Sequence, residues 1–122
     1  MLAGKRAVRV GDQILKGIAG ILMHEVRDPR VEGVTLTGIY LSNDLKHARV
    51  YFSVMGDKDD VIRAQSGLDS AKGYIKRGIG QRVKLKYVPD IIFEHDPTLE
   101  IGNQMERLFQ KLRVKEPIET TE

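Results

Sequence analysis

Residues 70–86 read Ser-Ala-Lys-Gly-Tyr-Ile-Lys-Arg-Gly-Ile-Gly-Gln-Arg-Val-Lys-Leu-Lys. The stretch has a helical apolar period, but Gly73, Gly78 and Gly80 are more glycine than an ordinary helix carries. It holds six of the chain's 20 lysines and arginines and no acid. At about 100° per residue, Ala71, Ile75 and Ile79 share one side, and Lys72, Lys76 and Arg77 fall on the other, interleaved with Gly73 and Gly80. A cationic helical face containing glycine lets a phosphate backbone come close. Upstream, Val61, Ala64 and Leu68 carry the same apolar stripe, with Gly67 and Gly73 interrupting it. The pattern predicts a helix to about Ser70, a bend at Ala71-Lys72-Gly73 and a second helix from Tyr74 to about Val83. Such a bend leaves the amides of the second helix start open to an anion.

Working outward, Asp57 reads as the cap of this helical region, with Asp59 and Asp60 in its positive first turn. Ala48, Val50, Phe52 and Val54 alternate with His47, Arg49, Tyr51 and Ser53, the period of a strand with one buried face. Val34 to Leu41 is rich in β-formers, and Ser42-Asn43-Asp44 is turn chemistry, so the two strands form an antiparallel hairpin. Residues 4–27 predict one long amphipathic helix, with Ala7, Val10, Ile14, Ile18, Ile21 and Leu22 on one face. Lys5, Arg9, Lys16 and Arg27 lie opposite, flanked by Arg6, and Asp28-Pro29 ends the helix. Beyond Val88-Pro89, Asp90 to His95 is a third strand. Asp96-Pro97 opens a last helix striped by Ile101, Met105, Leu108 and Leu112. From Val114 onward apolar periodicity is lost. The expected organisation is one domain over residues 1–113 and a flexible tail over 114–122. The order α-β-β-α-α-β-α makes an α+β fold, helices packed on one face of a small three-stranded sheet.

The composition, 41% hydrophobic and 30% charged over 122 residues, is that of a globular domain. A chain of this length buries roughly two-thirds of its unfolded surface. Without cysteine there are no disulfides, thiolate metal sites or cysteine nucleophiles. The first ten residues have charges throughout and no apolar run, so neither a signal peptide nor a membrane span is expected there, and the location is expected to be cytoplasmic. Charge is segregated. Residues 1–30 carry six basic and three acidic side chains, and residues 61–90 carry seven and two; the intervening and final blocks are acidic. If the two basic blocks are neighbours in the fold, they make one basic face.

Catalytic constellations are scarce. His24-Glu25-Val26-Arg27-Asp28 begins like a zinc-protease helix, but its fifth residue is Asp28 where histidine is needed. Asp57, Asp59 and Asp60 lack the glycine and distal glutamate of a calcium loop, and helix-start acids explain them more simply. No phosphate loop or dinucleotide fingerprint occurs. Tyr40 and Tyr51 are too few for extended base stacking, so backbone and shape recognition fits better.

Several stretches then combine: Arg6-Ala-Val-Arg-Val-Gly-Asp-Gln-Ile, Arg27-Asp-Pro-Arg, Val34-Thr-Leu-Thr with Leu41-Ser-Asn-Asp-Leu, Ala48-Arg-Val-Tyr-Phe-Ser-Val, Ala71-Lys-Gly-Tyr-Ile-Lys, and Val88-Pro-Asp-Ile-Ile-Phe-Glu-His-Asp. Together, in this order and spacing, the chain resembles the ribosome-binding factor A family from Arg6 to about Leu112. The resemblance implies a type II KH-like domain in which the phosphate-binding Gly-x-x-Gly loop is replaced by an Ala-x-Gly kink, here Ala71-Lys72-Gly73. It also implies binding to the small (30S) ribosomal subunit and its 16S rRNA, help with late maturation of the RNA 5′ end, a role in growth in the cold, and no catalysis. Ile75-Lys76 stands where many members have leucine and arginine, and Lys86-Tyr87 where arginines are common.

The reading is an RNA-binding assembly factor, a monomer without cofactor, metal, membrane partner or small-molecule substrate. The residues expected to meet RNA are Arg6, Arg9, Lys16, Arg27 and Arg30 from the first basic block, and Lys72, Gly73, Lys76, Arg77, Arg82, Lys84 and Lys86 from the second. The alternative is an adaptor domain whose basic face meets an acidic protein.

Overall fold

A computed structural model describes residues 4–97. Helix α1 spans Lys5–His24 and buries Ala7, Val10, Ile14, Ile18 and Ile21, the stripe that the spacing predicts. Its N-cap is Gly4, which offers no side chain. The Gly4 N–H instead donates to Asn43 Oδ1 at 2.6 Å, tying the helix start to a distant turn. The helix stops at His24, three residues short of expectation. Asp28 then accepts the Arg30 N–H at 2.9 Å and caps a 3₁₀ turn, Pro29–Val31.

Strands β1 (Thr35–Leu41) and β2 (His47–Ser53) pair antiparallel, as expected, with a register shift between Leu36 and Gly38 that leaves Thr37 as the extra residue. Helix α2 (Lys58–Arg82) begins at a reciprocal capping box: Asp57 accepts the Asp60 N–H at 3.1 Å and Asp60 accepts the Asp57 N–H at 3.0 Å. It crosses over to β3 (Asp90–His95), which lies parallel to β2 and completes the sheet in the order β1-β2-β3. One sheet face is buried through Ala48, Val50, Phe52, Ile91 and Phe93, which pack with Ile14, Ile18 and Ile21 of α1 and Leu68, Ile75 and Ile79 of α2. The opposite face keeps Tyr40, Arg49 and Ile92 exposed. The architecture is α+β with both described helices on one side. The expected last helix and tail fall in residues 98–122, outside the described residues. No helix among the described residues is long and apolar enough to cross a membrane.

One expectation is corrected. Two helices joined by a bend at Ala71-Lys72-Gly73 are predicted, but α2 runs without a break from Lys58 to Arg82. Gly73 also has no positive φ; among the described glycines only Gly33 and Gly56 do. The reason is energetic. Ala64, Leu68, Ile75 and Ile79 stay in phase across the whole helix and are fully buried. Burying one large aliphatic side chain gains about 1.5–3 kcal/mol, whereas a helical glycine costs about 1 kcal/mol. The stripe therefore outweighs the breakers. No helix begins at Tyr74, so the amides expected to bind an anion there are inside the helix.

The glycines serve packing instead. A Cβ on Gly78 would meet Ile21 Cδ1 at 2.6 Å, and one on Gly67 would meet Arg30 Cβ at 2.8 Å and Val31 Cγ1 at 2.9 Å. Gly73 faces open space, its nearest neighbour being Arg77 Nη1 at 3.8 Å. In urea unfolding, Gly73→Ala should therefore raise stability by about 0.5–1 kcal/mol, the helix-propensity gain. Gly67→Ala should lower it, because overpacking of about 1–3 kcal/mol exceeds that gain.

Candidate nucleic-acid interface

The fold sorts the predicted basic residues into two groups. The first group is used internally. Arg30 grips Asp28 through its Nε and Nη2 atoms, the latter at 2.7 Å, and donates to Ser66 Oγ on α2 at 3.0 Å. Asp28 is consequently held below the usual carboxylate range, chiefly by the Arg30 side chain and then by the Arg30 amide. Arg82 donates to the Gly78 carbonyl at 3.1 Å and pairs with Glu25. Lys76 meets Asp90 at 3.2 Å, Lys72 meets Asp69 at 3.9 Å, and Lys16 meets Asp12 at 3.1 Å. Lys72 and Lys76 are half-buried, whereas Arg77 is exposed. The single cationic face drawn for Lys72, Lys76 and Arg77 is therefore split. The two lysines border the core stripe, and Lys76 reaches the start of β3.

The second group makes no ion pair among the described residues: Arg6, Arg9, Arg27, Arg77, Lys84 and Lys86, all exposed. Arg77 lies over the Tyr74 ring, 6.0 Å from its centroid. Gly73 is exposed within α2, and Ala71 packs against the core.

Two members of the second group converge. The first turn of α1, the β1–β2 turn and the loop after α2 enclose a cleft of about 210 Å³, lined among others by Arg6, Asp44, Leu45, Lys46, Lys86 and Tyr87. The two basic sequence blocks thus meet here, 80 residues apart in sequence. Helix α1 is held against the turn by the Gly4–Asn43 bond. The turn is itself fixed. Ser42 Oγ donates to Asp44 Oδ1 at 2.6 Å, and the Lys46 N–H donates to the same oxygen at 3.0 Å. These bonds, the hydroxyl first, hold Asp44 below the usual carboxylate range. Leu45 adopts φ 62°, an uncommon conformation for a non-glycine residue. The loop side is anchored by the Asp90 N–H donating to the Lys46 carbonyl at 2.9 Å. The sequence reading missed Asp44, Lys46 and Tyr87. Lys46 lies in an acidic block, and Tyr87 gains its setting only when α2 returns the chain beside the turn.

Geometry and surface define a class: a small three-stranded α+β domain whose unpaired cations gather on α1, on α2 and at the cleft end of the sheet. The model of the family described as ribosome-binding factor A matches residues 6–109. A ribosome-binding factor A of Latilactobacillus sakei is 46% identical over 112 residues, covering 91% of this chain and 95% of the relative. One from Halothermothrix orenii is 41% identical over 112 residues, covering 92% of each. A homology model of Thermus thermophilus ribosome-binding factor A, fitted into the cryo-EM map of its complex with 30S, superimposes with a TM-score of 0.60 at 21% identity, covering 75% of this chain and 96% of that one. The chain belongs to the ribosome-binding factor A family.

Glu25 joins the two helices near their crossing, accepting the Tyr74 hydroxyl at 2.7 Å as well as Arg82. Tyr74 first, and Arg82 after it, pull the Glu25 carboxyl below its ordinary range. A carboxyl whose folded pKa is depressed adds stability above its unfolded pKa, and that stability is lost as pH falls through the folded value. Glu25→Gln should lower the melting temperature at pH 7. The gap to wild type should close as pH drops below about 4, where the unfolded carboxyl begins to protonate. Thermal melts followed by circular dichroism between pH 7 and pH 3 measure this.

Proposed function

We propose that this chain is a ribosome biogenesis factor that binds the free, immature small ribosomal subunit through its 16S rRNA and assists late maturation and processing of the RNA 5′ end. The family match across residues 6–109, which takes in every described helix and strand except the first residue of α1, carries this reading. The Thermus relative placed in a 30S complex supports the same partner. On this chain, Arg6, Arg9, Arg27, Arg77, Lys84 and Lys86 do the docking, because they are exposed and make no ion pair among the described residues. Each neutralised phosphate releases counterions, so affinity depends steeply on salt. Arg30 and Arg82 hold the two helices and the turn between them in place. Lys72, Lys76 and Lys16 contribute more weakly, since each must leave an acidic partner to meet phosphate. The role is binding without catalysis or cofactor, in the cytoplasm. Departure from the mature subunit follows if the immature state offers more contacts, since release requires a difference in affinity between the two states.

Co-sedimentation with separated ribosomal subunits tests the proposal. The protein should pellet with free small subunits and not with large ones, and its affinity should fall steeply with salt. Failure to bind small subunits at low salt would contradict it, and binding that ignores RNA would favour the adaptor reading. Arg6→Ala and Lys86→Ala should each reduce the salt slope by about one. Lys72→Ala and Lys76→Ala should reduce it less. Arg30→Ala should instead lower the melting temperature and leave the slope unchanged.

A further inference from the structure

The cleft at the N-terminal end of α1 differs from the rest of the basic surface because it combines cations with an exposed ring. Tyr87 is 65% exposed. Lys86 Nζ lies over the ring, 5.7 Å from its centroid, so a cation covers one face of a ring that is otherwise largely exposed. Arg6 and Lys46 line the same cleft. At about 210 Å³ it is smaller than a ligand pocket of about 300–1,000 Å³. That size suits one planar ring better than a whole small-molecule substrate.

We propose that this cleft receives a single unpaired nucleotide of the bound RNA, stacking its base on Tyr87 and holding its phosphate between Arg6, Lys46 and Lys86. The proposal rests on the RNA-binding reading and deepens it: the docking surface tracks the backbone, and the cleft selects a strand with a base free to leave its helix. Asp44 fits this arrangement. Ser42 and Lys46 occupy its Oδ1 atom, while Oδ2 accepts no hydrogen bond among the described residues. An ionised carboxylate repels phosphate but accepts from base N–H groups, so the base edge faces Asp44 and the phosphate lies toward the cations. The left-handed Leu45 holds Asp44 and Lys46 on either side of itself in the turn, where backbone strain of this kind commonly accompanies a binding site.

Full-length wild-type, Tyr87→Ala and Tyr87→Phe proteins are titrated by fluorescence anisotropy against a labelled single-stranded RNA of mixed sequence and a blunt duplex containing it. Stacking of one base is expected to make Tyr87→Ala lose roughly five-fold or more in affinity for the single strand. Duplex affinity and salt slope should be unchanged, and Tyr87→Phe should stay within about two-fold of wild type because the ring remains. Arg6→Ala and Lys86→Ala should weaken both RNAs and lower the slope. The proposal is overturned if wild type does not bind the single strand. It is equally overturned if Tyr87→Ala leaves that affinity unchanged or reduces both RNAs alike. Subunit co-sedimentation in parallel separates the two readings. Wild-type binding to small subunits with no selective Tyr87→Ala defect overturns the cleft alone. A selective defect without subunit binding overturns the ribosomal reading and sustains the cleft.

Discussion

The close packing of α2 against α1 and the 3₁₀ turn is the constraint on which the rest of the structure depends. Gly78 lies against Ile21, Gly67 lies against Arg30 and Val31, and a Cβ on Gly17 would come within 2.8 Å of Ile79 Cδ1. These three contacts use hydrogen where any other residue would place carbon. They bring the helix backbones near enough for Ile18, Ile21, Ile75 and Ile79 to be fully buried above the sheet. The polar links follow from that proximity: Glu25 reaches both Tyr74 and Arg82 only because the helices lie this close.

The same packing decides which charges remain available. A basic side chain that points along the helix–helix or helix–strand seam finds an acid there, and Arg30, Arg82 and Lys76 do so. Pointing outward, Arg6, Arg9, Arg27, Arg77, Lys84 and Lys86 find none among the described residues, whereas Lys16 meets Asp12 within its own helix. Arg6 and Lys86, distant in sequence, come together because α1 begins, and α2 hands over to β3, at the same end of the sheet. Exposed pairs such as Lys16–Asp12 contribute little to stability, about 1 kcal/mol or less, so competition with phosphate can break them readily.

Most of the fold is legible in residue spacing. The α1 stripe, the period-two β2, the β1–β2 hairpin, the Asp57 cap and the limits of β3 all follow from local rules and stand in the structure. The bend at Ala71-Lys72-Gly73 does not, because glycine count was weighed locally while the decision was tertiary. Ala64, Leu68, Ile75 and Ile79 share one core, and their combined burial keeps the helix continuous. The site was half legible. Charge blocks pick out the basic residues of the candidate site, but pairing is a property of three-dimensional neighbours. Lys72, Lys76, Arg30 and Arg82 looked as free in sequence as Arg6 and Lys86. Tyr87 and Lys46 carried no local signal at all, since their setting arises from the meeting of a turn and a loop.

The central claim is that RNA is held by the unpaired cations of the helical layer and the cleft, and not by the open face of the sheet. Backbone amide chemical shifts recorded while small-subunit RNA is titrated into the protein test it most directly. The account predicts that the largest changes cluster at Arg6, Arg9, Lys46, Arg77, Lys86 and Tyr87. Changes concentrated instead at Tyr40, Arg49, Tyr51 and Ile92, on the opposite sheet face, would contradict it.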